Sequence, residues 1–341
     1  MASMVPLSVL DLVPVRAGAT ATDALREAVD LAQHTERLGY LRYWFAEHHG
    51  MASIASSSPE ILIEHIASKT RRLRVGSGGI MLPNHSPLRV AEAFHTLAAL
   101  HPGRIDLGLG RAPGTDPATS RALRPFDGEQ FPELLRELLA LSRRTFPADH
   151  PFGSVRVVPG DVPLPPIWVL GSSGAMAAFA GSLGLGYSFA RHFSPNPPQP
   201  AMRAYRQSFV PSAQFPTSHV ILGVSVICAP TEEEAEYHAA STDLAWVRLH
   251  RREFTPLPSP EEALAYQYSP QERVIVDANR QRHFIGTPFK VASTIRNLVN
   301  DAGADEIMVT SMMYGRDARF RAYELLANEW GLQSDQGSSI R

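Results

Sequence analysis

Glu47, His48 and His49 follow three aromatic residues almost directly, in the stretch YWFAEHHG (43–50). A carboxylate and two imidazoles could hold a metal, move a proton near neutral pH, or simply form a polar turn. Successive side chains of an extended segment point to opposite faces, so neighbouring residues here make an awkward ligand pair for one ion. Proton handling fits better, because imidazole has an ordinary pKa of about 6.5 and can accept or donate near neutrality. A second set of residues offers anion chemistry. In GSSG (171–174), Gly171, Ser172 and Ser173 end an apolar stretch and open a helix, where free backbone N–H groups and hydroxyls meet the positive helix end. Arg111 would add a permanently charged planar fork from the neighbouring strand, suited to a phosphate. Finally, GSGGIMLP (76–83) places Gly78 and Gly79 inside a strand, where glycines mark a bulge or the close approach of a ligand such as a flat ring.

These groups need elements to carry them. PLSVLDLV (6–13) has the pattern of a buried strand, and residues 22–40 that of an amphipathic helix which Thr22 can cap and Gly39 can end. Strand and helix then alternate: strands at 41–47, 73–82, 104–110, 166–171, 186–193, 219–229 and 306–312, with helices at 59–70, 86–100, 129–144, 174–184, 198–209, 231–250, 288–303 and 318–330. Eight strands, mostly apolar on both faces, specify a parallel sheet covered by helices, and eight such units specify a (β/α)8 TIM barrel. The barrel is expected to form one domain over 1–332. Insertions are expected at about 145–165, with a strand-like VRVVP, and at about 251–285; both would cover the C-terminal mouth. Residues 333–341 read as a disordered tail. In such a barrel the strand exits form the site, and they present the residues above together with RHF (191–193) and SMMYGR (311–316).

Composition narrows the partners. In 341 residues, 44% hydrophobic and 19% charged, a net charge of -2 argues against nucleic acid or an anionic membrane and for small molecules. The single cysteine, Cys228, lies in an apolar run, which points to a buried, inert thiol and a reducing cytoplasm. No apolar run reaches the roughly 18 residues of a membrane span, and no export signal is expected. GLGRAPG (108–114) begins like a dinucleotide fingerprint, but Pro113 stands where a glycine is needed and the following TDPATSRALRP reads as loop.

The order of these motifs resembles the bacterial luciferase-like flavin monooxygenases over almost the whole chain. YWFAEHHG, VGSGGIMLPNHSPLRVAEAFHTLAALHPGRIDLGLGR, PPIWVLGSSGAMAAFAGSLGLGYSFA and HFIGTPFKVASTIRNLVNDAGADEIMVTS carry the resemblance. It implies a TIM barrel binding reduced FMN at its mouth or, in a sister branch, the deazaflavin F420. The family's cis peptide beneath the flavin ring would fall at Gly78 and Gly79. The phosphate site would fall on Arg111 and Ser172, with Gly171 and Ser173 beside them, and the active-site histidine on His48. His49, His192, Phe193 and Met312 would line the substrate pocket by position. Gly171 and Gly110 stand where the light-emitting subunit of luciferase has an acidic residue and a cysteine, so light emission is not implied.

The expected activity is oxygenation of a small organic substrate by reduced FMN and O2 through a C4a-hydroperoxide, with His48 managing a proton. Lack of a nicotinamide fold implies a separate NAD(P)H:flavin reductase, and the small and apolar helices after strands two and three imply a homodimer. The rivals are an F420-dependent hydride-transfer oxidoreductase, a non-catalytic flavin-binding protein, and a metal-dependent hydrolase, the last disfavoured by the strand alternation at 47–49.

Overall fold

The structure, a computed structural model, describes residues 5–124 and 127–333; the expected disordered tail lies almost wholly outside the described residues. The chain runs β1 (Leu7–Asp11), α1 (Ala21–Arg37), β2 (Arg42–Phe45), α2 (Pro59–Lys69), β3 (Arg74–Ser77), β4 (Ile80–Met81), α3 (Pro87–Leu100), β5 (Ile105–Gly110), α4 (Pro117–Leu123), α5 (Phe131–Arg143), β6 (Ile167–Gly171) and α6 (Gly174–Ser182). It continues with β7 (Gly186–Ala190), α7 (Gln199–Ser208), β8 (Val220–Cys228), α8 (Glu232–His250), α9 (Pro260–Ala265), α10 (Pro270–Arg280), β9 (His283–Gly286), α11 (Pro288–Ala302), β10 (Glu306–Thr310) and α12 (Arg316–Trp330). All strand pairs are parallel, and β10 bonds both β1 and β8, so the sheet closes into an eight-stranded α/β barrel in which β3 and β4 together form one stave.

Three expectations need correction. The first helix begins at Ala21 and not at Thr22, because Thr20 and Asp23 form a reciprocal capping box. The stretch VRVVP forms no strand: Val157 is buried while Val158 is exposed, and Pro159 has no N–H to give to a ladder. The stretch TDPATSRALRP contains α4, started by Asp116, whose carboxylate accepts from Ala118 N and Thr119 N, with Pro117 at the first helical position. The second insertion is also more ordered than a loop, since α9 and α10 pack on α8 and β9 pairs with the outer half of β8.

Strand alternation sorts the barrel interior into layers. At its base Arg42 bridges Asp106 at 2.8 Å and Glu306 at 2.9 Å, while Arg74 also holds Asp106 at 2.6 Å. Above this, Trp44 and Trp168 meet edge-on with centroids 5.7 Å apart and pack with Leu10, Ile221 and Met308. Two residues further along the same strands come Ala46, Gly223 and Thr310, and two further again His48, Ser225 and Met312. A charged plug and an aromatic layer therefore fill the base. Small side chains follow, and the interior-facing polar groups gather at the C-terminal mouth, the end where barrels place their sites.

Candidate active site

The floor of the mouth is set by how closely β4 and β5 approach. The Gly78–Gly79 peptide bond is cis, at the position where the resemblance puts one, and it divides the expected continuous strand 73–82 into β3 and β4. A Cβ on Gly79 would lie 2.7 Å from Gly108 O, and one on Gly108 would lie 2.0 Å from Ser77 O. These glycines are thus required by neighbouring backbone, before any ligand is considered. Ser77 closes the seam, donating to Gly108 O at 2.8 Å and accepting from Gly108 N at 3.0 Å.

Glu47 organises the exits of three strands. Its side chain is fully buried and accepts from Met81 N at 2.9 Å, while His49 Nε2 and His85 Nε2 each lie 2.9 Å from Oε1. Asn84 Nδ2 reaches from the same segment to Pro113 O at 3.0 Å. Burial opposes the charge on Glu47, but the hydrogen bonds from His49 and His85 prevail and hold its pKa down to about 2. No motif in the chain announces this hub: a strand-end glutamate is legible, but its partners come from a turn 34 and 38 residues away.

His48 projects from the opposite side of the strand to Glu47 and His49. It is half-buried, and its Nδ1 lies 3.2 Å from Gly114 O. A carbonyl can only accept, so Nδ1 carries the proton and Nε2 is left as the accepting nitrogen of a neutral ring. Burial lowers the pKa of His48, which keeps it neutral near pH 7. His192 also half-buries its ring, with Nδ1 bonded to nothing; burial pushes its pKa down to about 4, and charge on His48 acts in the same direction. His48 and His192 therefore share one electrostatic environment. His49 is drawn away to Glu47, Phe193 is 65% exposed, and Met312 is half-buried at the exit of β10.

Arg111, Ser172 and Ser173 meet at adjacent exits, because β5 and β6 pair through Leu107–Ile167 to Leu109–Val169. Ser173 is the N-cap residue of α6, yet its hydroxyl caps nothing, so it and the first helical N–H groups are open to an anion. Arg111 is about half exposed and lies 3.7 Å from Glu129. Loops after the strands are tied to one another: the β1 exit pairs with the segment after β2 through Pro14 and Ile54, and with the second insertion through Arg16 and Leu257. Val13, fully buried at that exit, has φ 53, a left-handed conformation costly for a β-branched residue; Asp11 holds it by accepting Val13 N at 2.7 Å.

Among the described residues no group of three or more His, Cys, Asp or Glu side chains has the geometry to hold a metal ion. Cys228 is buried, and burial raises its pKa to about 12. No described helix is long and apolar enough to cross a membrane.

A closed parallel barrel that gathers histidines, an arginine and an uncapped helix N-terminus at its mouth defines an α/β-barrel with the layout of an enzyme site. Residues 5–306 match the model of the luciferase-like monooxygenase family, and the chain belongs to that family. An uncharacterized Bacillus subtilis protein, YvbT, is 46% identical over 95% of this chain and 96% of its own. The N-acetyl-S-alkylcysteine monooxygenase of the same organism is 34% identical over 95% and 98%. The crystal structure of apo-MsnO8 superposes with a TM-score of 0.87 at 36% identity, covering 97% of this chain and 99% of that one. Two more distant structures share the fold: an FMN complex of the oxygenating constituent of 3,6-diketocamphane monooxygenase from Pseudomonas putida (TM-score 0.67, 17% identity, 95% and 97% covered) and an F420-dependent secondary alcohol dehydrogenase (0.66, 13%, 96% and 99%).

Proposed function

We propose that this chain is a flavin-dependent monooxygenase that binds reduced FMN at the barrel mouth and uses O2 to oxygenate a small organic substrate. One observation carries the choice of a phosphorylated flavin. An anion corner at Arg111, Ser172 and the uncapped Ser173, where Arg111 has the exposed Glu129 carboxylate 3.7 Å away, lies one strand from the glycine floor at Gly78, Gly79 and Gly108. A ring on that floor and a phosphate in that corner use both features at once. Reduced FMN, when bound, supplies the electrons that activate dioxygen. Arg111 and Ser172 anchor the phosphate; the cover loops around Val13, Ile54 and Leu257 exclude water; His48 Nε2 accepts or returns a proton. His192 and Met312 border the substrate, whereas His49 and Phe193 act from the periphery.

The names of the relatives support oxygenation: one acts on N-acetyl-S-alkylcysteines, and the diketocamphane enzyme was solved with FMN. A separate NAD(P)H:flavin reductase supplies the reduced cofactor. A homodimer forms on the side of α2 and α3, where Ile61 is 66% exposed. The single buried thiol suits a cytoplasmic setting. The deciding experiment is an anaerobic titration with reduced FMN and with reduced F420. Tighter binding of FMN, followed by substrate oxygenation on admitting O2, is the expected result; tighter binding of F420 with hydride transfer would replace this reading.

A further inference from the structure

The exit of β7 and the entry of β9 hold a cluster of nitrogen groups that the flavin site does not use. Arg191 follows β7 directly. Its Nη2 donates to Gln281 O at 2.8 Å, and its guanidinium lies over the Phe284 ring at 6.0 Å. Its Nη1 is buried and donates to nothing. Next along the chain, His192 leaves Nδ1 without a partner. Its ring packs so tightly on β8 that a Cβ on Gly223 would lie 2.7 Å from Nδ1. Across from them His283 opens β9, with Nδ1 2.7 Å from Ser225 Oγ and Nε2 3.3 Å from Asn279 Oδ1. Asn279 is itself 1% exposed, and its Nδ2 is a third buried nitrogen with no partner.

Buried donors are nearly always satisfied in a folded protein, and leaving one unpaired costs about 1–3 kcal/mol. Arg191 Nη1 and Asn279 Nδ2 are two such donors, and with the His192 ring nitrogen they point to something that binds there. The sign of the local charge says what. Arg280 is balanced by Asp243 at 2.8 Å and Glu236 at 2.6 Å. Arg191 and Arg282 have no carboxylate within ion-pair distance among the described residues; Arg282 lies instead over the Trp246 ring at 5.4 Å. In a chain of net charge -2 this corner has an excess of positive charge and unused donors. Burial, then the neighbouring His192, Arg282, Arg191 and Arg280, drives the pKa of His283 down to about 4, the response of a base set beside guanidinium groups.

We infer that Arg191, His192 and Asn279 form a carboxylate-binding subsite, so that the substrates of this enzyme carry a carboxylate at one end. The inference takes from the proposed function only that the mouth receives an organic substrate. Arg191 supplies the charge, while His192 and Asn279 supply directed donors. The carboxylate is held at the β7–β9 side, one strand on from Ser172, since β6 and β7 pair through to Gly171–Phe189, and the rest of the substrate is directed over the glycine floor.

The test is isothermal titration calorimetry of the full chain with hexanoate and with the neutral isostere hexanamide. Hexanoate is expected to bind at least about tenfold more tightly, Arg191→Gln to abolish that preference and Arg191→Lys to restore part of it. In the unmutated protein the ring resonances of His192 and His283 should move with hexanoate and stay in place with hexanamide, a readout that needs no variant to fold. Equal binding of the two probes, binding of neither, or a preference that survives in Arg191→Gln would overturn the subsite. So would loss of the FMN-over-riboflavin preference in Arg191→Gln, which would assign the corner to the cofactor phosphate. A preference for hexanoate in a protein that binds no flavin would leave the subsite standing and remove the proposed function instead.

Discussion

The buried carboxylate of Glu47 accepts the Met81 amide at 2.9 Å, tying the exit of β2 to the segment that follows the Gly78–Gly79 peptide. Through His49, His85 and Asn84 the same group steadies the loop that begins at Arg111. Glu47 is therefore a positioning residue: its bonds set where His48 and the anion corner stand.

Glu47→Gln keeps the size and loses the charge. Hydrogen bonds to an ionised group contribute about 1.5–3 kcal/mol, so urea denaturation at pH 7 should show a loss of that order. The pH dependence has a definite sign. The folded pKa, about 2, is below the ordinary 4.5, so the stabilisation is fully present above 4.5 and is lost as pH falls from there toward 2. The variant should have a flatter acid limb between those values, and two superimposable limbs would refute the assignment.

His48→Ala should bind reduced FMN within about threefold of the parent, because the flavin is held mainly through its phosphate and ring floor, yet turn over substrate about a hundredfold more slowly, as loss of a positioned proton carrier entails. Turnover under saturating reduced flavin decides the matter. An unchanged kcat would remove His48 from the chemistry.

Arg111→Gln separates phosphate from ring. FMN affinity should fall by about ten- to a hundredfold, the equivalent of one charge-assisted contact, while riboflavin affinity stays within about twofold. Fluorescence titration with the two flavins measures both. A parallel loss for both ligands would mean that Arg111 does not hold the phosphate.

Gly79→Ala would put a methyl group 2.7 Å from Gly108 O, against backbone that cannot move aside, and should cost about 1–3 kcal/mol. Gly174→Ala meets only Ala204 Cβ at 4.0 Å and should change stability by less than about 0.5 kcal/mol. Thermal melts of the two variants side by side test whether β4 and β5 are as close as described.

Much of this was legible in the chain. Apolar runs of strand length alternating with amphipathic helices are set by local periodicity, and so the barrel, its closing strand, expected at 306–312 and found at Glu306–Thr310, and the placement of Glu47, His48, Arg111 and Ser172 at strand exits could be read directly. Alternation along a strand also separated His48 from His49 before any coordinates. Less legible were the features that depend on who the neighbour is. The capping box at Thr20 and Asp23 and the helix begun by Asp116 were local signals that the apolar pattern outweighed. VRVVP has the composition of a strand, but its Pro159 cannot donate to a ladder.

What the sequence determined by itself was thus the number and order of the elements and which residues end them, because hydrophobic period and turn chemistry act over a few residues. The tertiary structure decided which distant groups share a burial site. Glu47 finds His85 across 38 positions, and Arg191 comes to rest on the turn at Gln281 across 90. Such partnerships arise from barrel closure and the folding-over of the second insertion. Their energies come from the low dielectric and missing water of an interior that only the closed barrel creates.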